Sequence, residues 1–127
     1  MDLNVAYEAI AISSGTSFSH VTKSQVILNA SRDISFTMDL VKKDVGLFQA
    51  IAERNSVPLE ISPLICQIFE DGIARYGEWE LSPNIIRRLE DATGLDIRAP
   101  GFPAEMTDDD SQEPGYEVVP TGLLSIA

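Results

Sequence analysis

Residues 37–55 place two rows of apolar side chains along one side of a single helix. The rows follow three- and four-residue spacing: Met38, Val41, Val45, Phe48 and Ala52 in the first, and Leu40, Leu47 and Ile51 in the second. At about 100° per residue the two rows merge into an apolar arc roughly half of the helix circumference wide. The spacing therefore predicts an amphipathic α-helix, capped by Thr37 and running to about Asn55.

The rest of the first 98 residues has helical character as well. Residues 2–13 form an unbroken, mostly apolar run, and residues 20–30 form a weaker one. The runs 62–77 and 82–94 each begin with Ser-Pro, an N-cap followed by proline at the first helical position, and each ends at a glycine. No window alternates as a β-strand does. The sequence predicts an all-α domain over 1–98 with four or five helices.

Acidic residues are unevenly distributed along the chain. The 127 residues carry a formal net charge of −11, from 20 Asp and Glu against 9 Lys and Arg. The segment 99–127 holds six acids, no base and four of the seven prolines, and it shows no periodicity. We expect this segment to be an extended or disordered extension, with Phe102 or Tyr116 docking on the body. Its acidic run is either a solvating tail or a site for a basic partner.

Composition excludes several classes of protein. An acidic chain repels phosphate backbones, so we expect no nucleic-acid partner. No apolar run approaches the roughly 18 residues that a membrane span needs, and the N-terminus has no signal-peptide pattern. The single cysteine, Cys66, excludes an intrachain disulfide and is typical of a reducing compartment. We therefore predict a cytoplasmic protein without a membrane partner.

The sequence also contains no pattern typical of a complete catalytic site. It has no glycine-rich phosphate loop. His20 and Cys66 are the only residues of their types and stand 46 positions apart, which argues against a nucleophile–base pair and against a transition-metal site. We expect neither a metal site nor a catalytic residue in this chain.

Asp44 is the residue that breaks the pattern of the 37–55 helix. Its neighbours three and four positions away are all apolar: Leu40, Val41, Leu47 and Phe48. A carboxylate in such surroundings loses hydration unless a partner or ligand replaces it, which makes Asp44 a site candidate. The alternative is a structural bond to a backbone amide or to an arginine of a neighbouring helix.

Two further residues of this helix have an ordinary and a functional interpretation. Lys43 follows Asp39 by four residues, the spacing of a common surface ion pair. Gly46 lies in mid-helix, where it costs about 1 kcal/mol relative to alanine, and it indicates either close packing or chance.

Four short motifs, in order, resemble the C-terminal helical domain of the β-hydroxyacid dehydrogenase family, which includes 3-hydroxyisobutyrate dehydrogenase. Residues 43–48 read Lys-Asp-Val-Gly-Leu-Phe, where the family has Lys-Asp-Leu-Gly-Leu-Ala. Residues 13–18 match a Ser-Ser-Gly-x-Ser-aromatic loop, and 32–36 resemble an Arg-Asp-x-x-x-x-Phe stretch with a shorter gap. Residues 57–64 match a Val-Pro-Leu-Pro…Pro-Leu connection. The resemblance covers roughly residues 8–77.

This resemblance implies a fold and a set of roles. The fold is a helical bundle similar to the C-terminal-like domain of 6-phosphogluconate dehydrogenase. Lys43 would bind the cofactor, NAD or NADP, near its nicotinamide end. Asp44, Phe36 and Phe18 would border the pocket of a small 3-hydroxyacid substrate. The domain would close the cleft over both molecules and dimerise, so a homo-oligomer is expected.

The chain also departs from the family. It lacks the N-terminal Rossmann domain and the catalytic lysine with an asparagine four residues on, since Lys23 is followed by Ile27. Phe48 replaces an alanine. We therefore expect a fragment, a truncated product or a separate subunit, inactive alone. The alternative is a non-catalytic acidic α-helical interaction module, in which Lys43 and Asp44 are merely structural.

Overall fold

The computed structural model describes residues 1–106 and 115. Within them lie five α-helices and one 3-10 helix: α1 Leu3–Ala11, α2 Phe18–Asn29, α3 Met38–Arg54, α4 Ser62–Tyr76, the 3-10 helix Ser82–Ile86, and α5 Arg87–Thr93. The extended structure in these residues is an isolated bridge between Thr37 and Leu81. The predicted all-α class is confirmed. Tyr116 and most of the acidic run lie outside the described residues, so the interaction-module hypothesis stays a prediction.

Side chains fix the starts of the first two helices. The Asp2 carboxylate accepts hydrogen bonds from the backbone N–H groups of Asn4 and Val5, at 2.9 and 3.1 Å. These bonds hold the pKa of Asp2 below its usual range. The Ser17 hydroxyl caps α2 in the same way through the N–H of His20.

The starts of α4 and the 3-10 helix differ by one residue from the prediction. Their cap positions are Ile61 and Leu81, so Ser62 and Ser82 are the first helical residues and no side chain caps either end. The prediction of serine caps is wrong here. Proline fits the second helical position as well as the first, because the N–H groups of the whole first turn lack intrahelical partners.

The helices α3 and α4 form the largest contact between elements. Met38 is fully buried at the start of α3. A methyl group added at Gly72 of α4 would meet Cδ1 of Ile85 and approach the Met38 sulfur to 3.2 Å. Gly72 therefore lets α3, α4 and the 3-10 helix meet closely. Outside this contact, Lys42 of α3 pairs with Glu70 of α4 at 3.1 Å.

The segment that follows α5 runs back over the α1–α2 hairpin. The Ala99 N–H donates to the Leu28 carbonyl at 2.9 Å, and the Asn29 side chain donates to the Phe102 carbonyl at 2.7 Å. The Phe102 ring packs edge-on against Tyr7, with 5.0 Å between the ring centres. The expected docking of Phe102 on the body is confirmed.

A buried ion pair ties the α2–α3 loop to α5. An Arg32 guanidinium nitrogen lies 2.6 Å from Glu90 Oε1, with side-chain exposures of 8% and 15%. The Ile97 N–H donates to the same carboxylate oxygen at 2.9 Å. Burial acts to raise the pKa of Glu90, but the hydrogen bonds from Arg32 and Ile97 outweigh it and leave this pKa below its usual range.

The lowered pKa of Glu90 predicts a loss of stability in acid. A depressed carboxyl pKa stabilises the fold above the ordinary value of about 4.5, and this contribution disappears as pH falls through the folded-state pKa. Glu90→Gln removes the titrating group. The difference in unfolding free energy between the native chain and Glu90→Gln should therefore shrink from about pH 6 to about pH 3, measured by urea denaturation. A difference that stays constant with pH would contradict this assignment.

Candidate functional site

The first half of α3 presents a charged pair to solvent. Lys43 Nζ lies 3.2 Å from Asp44 Oδ1, and the two side chains are 59% and 56% exposed. The expected dehydration of Asp44 is therefore wrong for the described chain, because Leu47 and Phe48 are themselves exposed and Leu40 and Val41 are only half-buried. The expected pair of Lys43 with Asp39 is not formed either. Asp39 instead accepts a hydrogen bond from the Thr37 hydroxyl.

The apolar arc of α3 is covered on one side only. In its first row Met38 and Ala52 are buried, and Met38 lies close to Gly72 of α4. The opposite edge is open: Leu47, Phe48 and Ile51 are 57%, 60% and 59% exposed. We call these three side chains the α3 apolar surface. It adjoins Lys43 and Asp44, which precede it by three to four residues and so share its side of the helix.

A groove separates α3 from the turn that leads into α4. Its volume is about 690 Å³, and it is lined by Asp44, Val45, Phe48, Pro58, Leu59, Glu60, Ile61, Ser62 and Ile65. Two carboxylates and one hydroxyl interrupt an otherwise apolar lining. No role in a site was predictable for the 58–62 turn, because a loop carries no periodicity that shows which of its residues face a helix.

Gly46 leaves the backbone of α3 bare beside this pair. A methyl group added there would meet no atom within 4 Å among the described residues. Within the described part of the chain, Gly46 therefore takes part in no close packing of the kind that a mid-helix glycine can indicate. Gly46 follows Lys43 by three residues, so the bare backbone lies on the same side as its ammonium group.

The predicted pocket residues divide between two parts of the fold. Phe36 is half-buried, two residues before α3, and its carbonyl accepts the Ser82 N–H at 2.8 Å. It therefore belongs with Lys43 and Asp44 to one continuous segment. Phe18 is 69% exposed and begins α2, which packs with α1 as a separate hairpin.

No group of three or more metal-ligating side chains comes together among the described residues. None of the helices in this part of the chain is long and apolar enough to cross a bilayer.

Comparison with known proteins identifies the domain. A family model described as the NAD-binding domain of NADP-dependent 3-hydroxyisobutyrate dehydrogenase matches residues 1–89. The chain belongs to this family. The cofactor of such 3-hydroxyisobutyrate dehydrogenase domains is NAD or NADP, and the resemblance stated from the four motifs is confirmed.

A relative of this family is similar over most of the chain. The 2-(hydroxymethyl)glutarate dehydrogenase of Eubacterium barkeri is 34% identical over 92 residues, which are 71% of this chain and 30% of the relative. The chain therefore spans about a third of the length of the curated relative it matches. Residues 90–127 lie beyond the match to the 3-hydroxyisobutyrate dehydrogenase family model.

The openness of the α3 apolar surface has a direct test. Leu47→Ser and Phe48→Ser remove exposed apolar groups, so each should change the unfolding free energy by less than about 0.5 kcal/mol. Met38→Ala empties a buried site on the same helix and should cost about 2–5 kcal/mol. Urea denaturation of the three variants measures both effects. A loss at Leu47 or Phe48 as large as that at Met38 would show that the surface is covered.

Proposed function

We propose that this chain is the C-terminal domain of an NAD(P)-dependent dehydrogenase of small 3-hydroxyacids, and that it closes the active-site cleft against a Rossmann-type domain. The observation that carries the proposal is the exposed Lys43 beside the open α3 apolar surface, in a domain of this family. A solvated cation next to uncovered apolar side chains is the arrangement expected where a charged ligand and a second domain meet.

Lys43 is suited to hold the cofactor. Its described partner is the equally exposed Asp44, and an exposed ion pair of this kind contributes about 0–1 kcal/mol. The ammonium group is thus free to exchange that contact for a carbonyl or phosphate oxygen of the dinucleotide. Lys43 would bind and orient the dinucleotide, which would supply the hydride acceptor when bound.

Asp44 and Phe36 border the substrate in this proposal. The Asp44 carboxylate accepts hydrogen bonds and fits a substrate hydroxyl. The Phe36 ring, held by the bond of its own carbonyl to Ser82, forms an apolar wall that excludes water. Phe18, on the α1–α2 hairpin, would reach the pocket only from outside the α3 segment.

The names of the related proteins support the substrate class in this proposal. 3-Hydroxyisobutyrate and 2-(hydroxymethyl)glutarate both carry a hydroxymethyl group on the carbon next to a carboxylate. We infer that the shared unit is what such a domain helps to bind, and that this chain serves an acid of the same kind.

The α3 apolar surface also supports assembly. Apolar side chains this exposed and contiguous mark a contact with another domain or copy. We propose that the Rossmann-type domain covers the end of the α3 apolar surface near Lys43. A second copy of the chain covers other exposed apolar side chains, away from the cleft, and this contact gives a homodimer.

A chimeric enzyme tests the cofactor role. The chain replaces the matching segment of the Eubacterium barkeri dehydrogenase, and NAD(P)H formation is followed with both hydroxymethyl acids as substrates. Because hydrogen bonds to charged groups contribute about 1.5–3 kcal/mol, Lys43→Ala should raise the cofactor KM about tenfold or more. Lys42→Ala is the matched control, since this neighbouring lysine pairs with Glu70 on α4.

Comparison of the two lysine variants distinguishes a specific contact with the cofactor from a general effect of positive charge on α3. An equal change in KM for both variants would reflect only the loss of positive charge from α3. An unchanged KM and kcat after Lys43→Ala, in an active chimera, would overturn the cofactor assignment.

A further inference from the structure

The loop that leads into the candidate site is strained. Between α2 and α3 three residues other than glycine have positive φ angles: Ala30 at 71°, Arg32 at 55° and Ser35 at 53°. Side chains disfavour this left-handed region, and such residues persist only where the surroundings hold them in place. The last of the three stands directly before Phe36, so the strain lies next to a residue of the proposed pocket.

The Arg32 side chain supplies that restraint. Its guanidinium donates to Glu90 Oε1 at 2.6 Å and to Asn84 Oδ1 at 3.2 Å, and its backbone N–H donates to the Val26 carbonyl at 3.0 Å. Its Nε–H is buried without a partner among the described residues. A buried ion pair with an unused donor is a poor way to gain stability compared with apolar packing, so stability alone does not account for this arrangement.

A continuous set of hydrogen bonds connects Arg32 to the start of α3. Asn84 accepts from Arg32 and donates through Nδ2 to Glu80 Oε1 at 2.9 Å. The Glu80 carbonyl in turn accepts the Met38 N–H at 2.9 Å. Next to this bond, the Phe36 carbonyl accepts the Ser82 N–H at 2.8 Å. The guanidinium is thus connected, through Asn84 and Glu80, to the Met38 end of the segment that carries Phe36, while Arg32 itself lies at the other end.

We propose that Arg32 is a positioning residue for the dehydrogenase site: it sets the place of Phe36 and of the first turn of α3. Lys43 stands five residues after Met38, about 7.5 Å further along the helix axis, so the direction in which α3 starts also places the ammonium group. This role in catalysis rests on the proposed function, whereas the effect on Phe36 and Met38 is a property of the chain alone.

Amide hydrogen exchange of the whole chain, read by NMR, tests the positioning. Arg32→Lys keeps the charge but loses the two-pronged donor. Glu90→Gln keeps the size and an acceptor oxygen, and it serves where Arg32→Lys fails to fold. In either variant the Met38 and Ser82 amides should exchange about tenfold faster or more, relative to amides in the middle of α4. The Phe36 ring signals should shift as well.

Arg88→Lys is the matched control. Arg88 pairs with Asp71 between α5 and α4, away from the Arg32–Asn84–Glu80 set. The Arg88→Lys variant should lower Tm without a selective increase in the exchange rates of the Met38 and Ser82 amides. Equal exchange at these amides in Arg88→Lys and in Arg32→Lys, at the same loss of Tm, would overturn the proposal by showing a general effect of stability.

The chimeric enzyme gives the second readout. Below its Tm, the Arg32→Lys chimera should show a hydroxyacid KM raised about tenfold, while Arg88→Lys keeps the original value. A hydroxyacid KM that Arg32→Lys leaves unchanged would contradict the role in the site. Selective exchange at Met38 and Ser82, together with a chimera indifferent to Lys43→Ala, would instead retain the positioning of Phe36 and reject the proposed cofactor role.

Discussion

The close contact of α3, α4 and the 3-10 helix is the constraint on which the rest of the domain depends. The fully buried Met38 lies where these three elements meet, and Gly72 favours that approach because a side chain there would force the Ile85 Cδ1 methyl group to move. The contact fixes one edge of α3 and leaves the other free. Lys43 and Asp44, two residues of the proposed site, stand beside this free edge.

This division explains how an ordinary amphipathic helix keeps an apolar edge open beside the proposed site. An apolar arc half of the circumference wide is more than one neighbouring helix covers, so Leu47, Phe48 and Ile51 remain exposed once α4 has packed. Lys43 and Asp44 stand beside this surface, solvated and paired with each other. A second domain that covers the apolar surface would exclude water around the lysine and so strengthen its contact with a bound dinucleotide.

The helices themselves were predictable because their signals are local. Three- and four-residue spacing, glycine stops and the Ser-Pro starts placed α3 and α4 to within a residue or two, whereas the predicted helix over 82–94 divides into the 3-10 helix and α5. The caps at Ser62 and Ser82 were not predictable to the residue, since proline is compatible with two positions of the first turn.

Site geometry depends on contacts that no local pattern contains. Periodicity shows that the neighbours of Asp44 on α3 are apolar, but it does not show that Leu47 and Phe48 remain exposed in the folded chain. The four-residue spacing predicted that Lys43 pairs with Asp39. The Thr37 hydroxyl donates to Asp39 instead, and Lys43 pairs with Asp44. Arg32 stands 58 positions from Glu90, and only the folded chain joins them. The motif that contains Arg32 marked the segment without showing what its side chain does.

The position of Lys43 in a cofactor-bound structure of the chimeric enzyme is the most direct test of its proposed cofactor role. We expect Lys43 Nζ to lie within about 3.5 Å of an oxygen of the bound NAD(P), with the α3 apolar surface covered by protein. A structure in which the dinucleotide is bound, the surface is covered and Lys43 still faces bulk solvent beside Asp44 would contradict it.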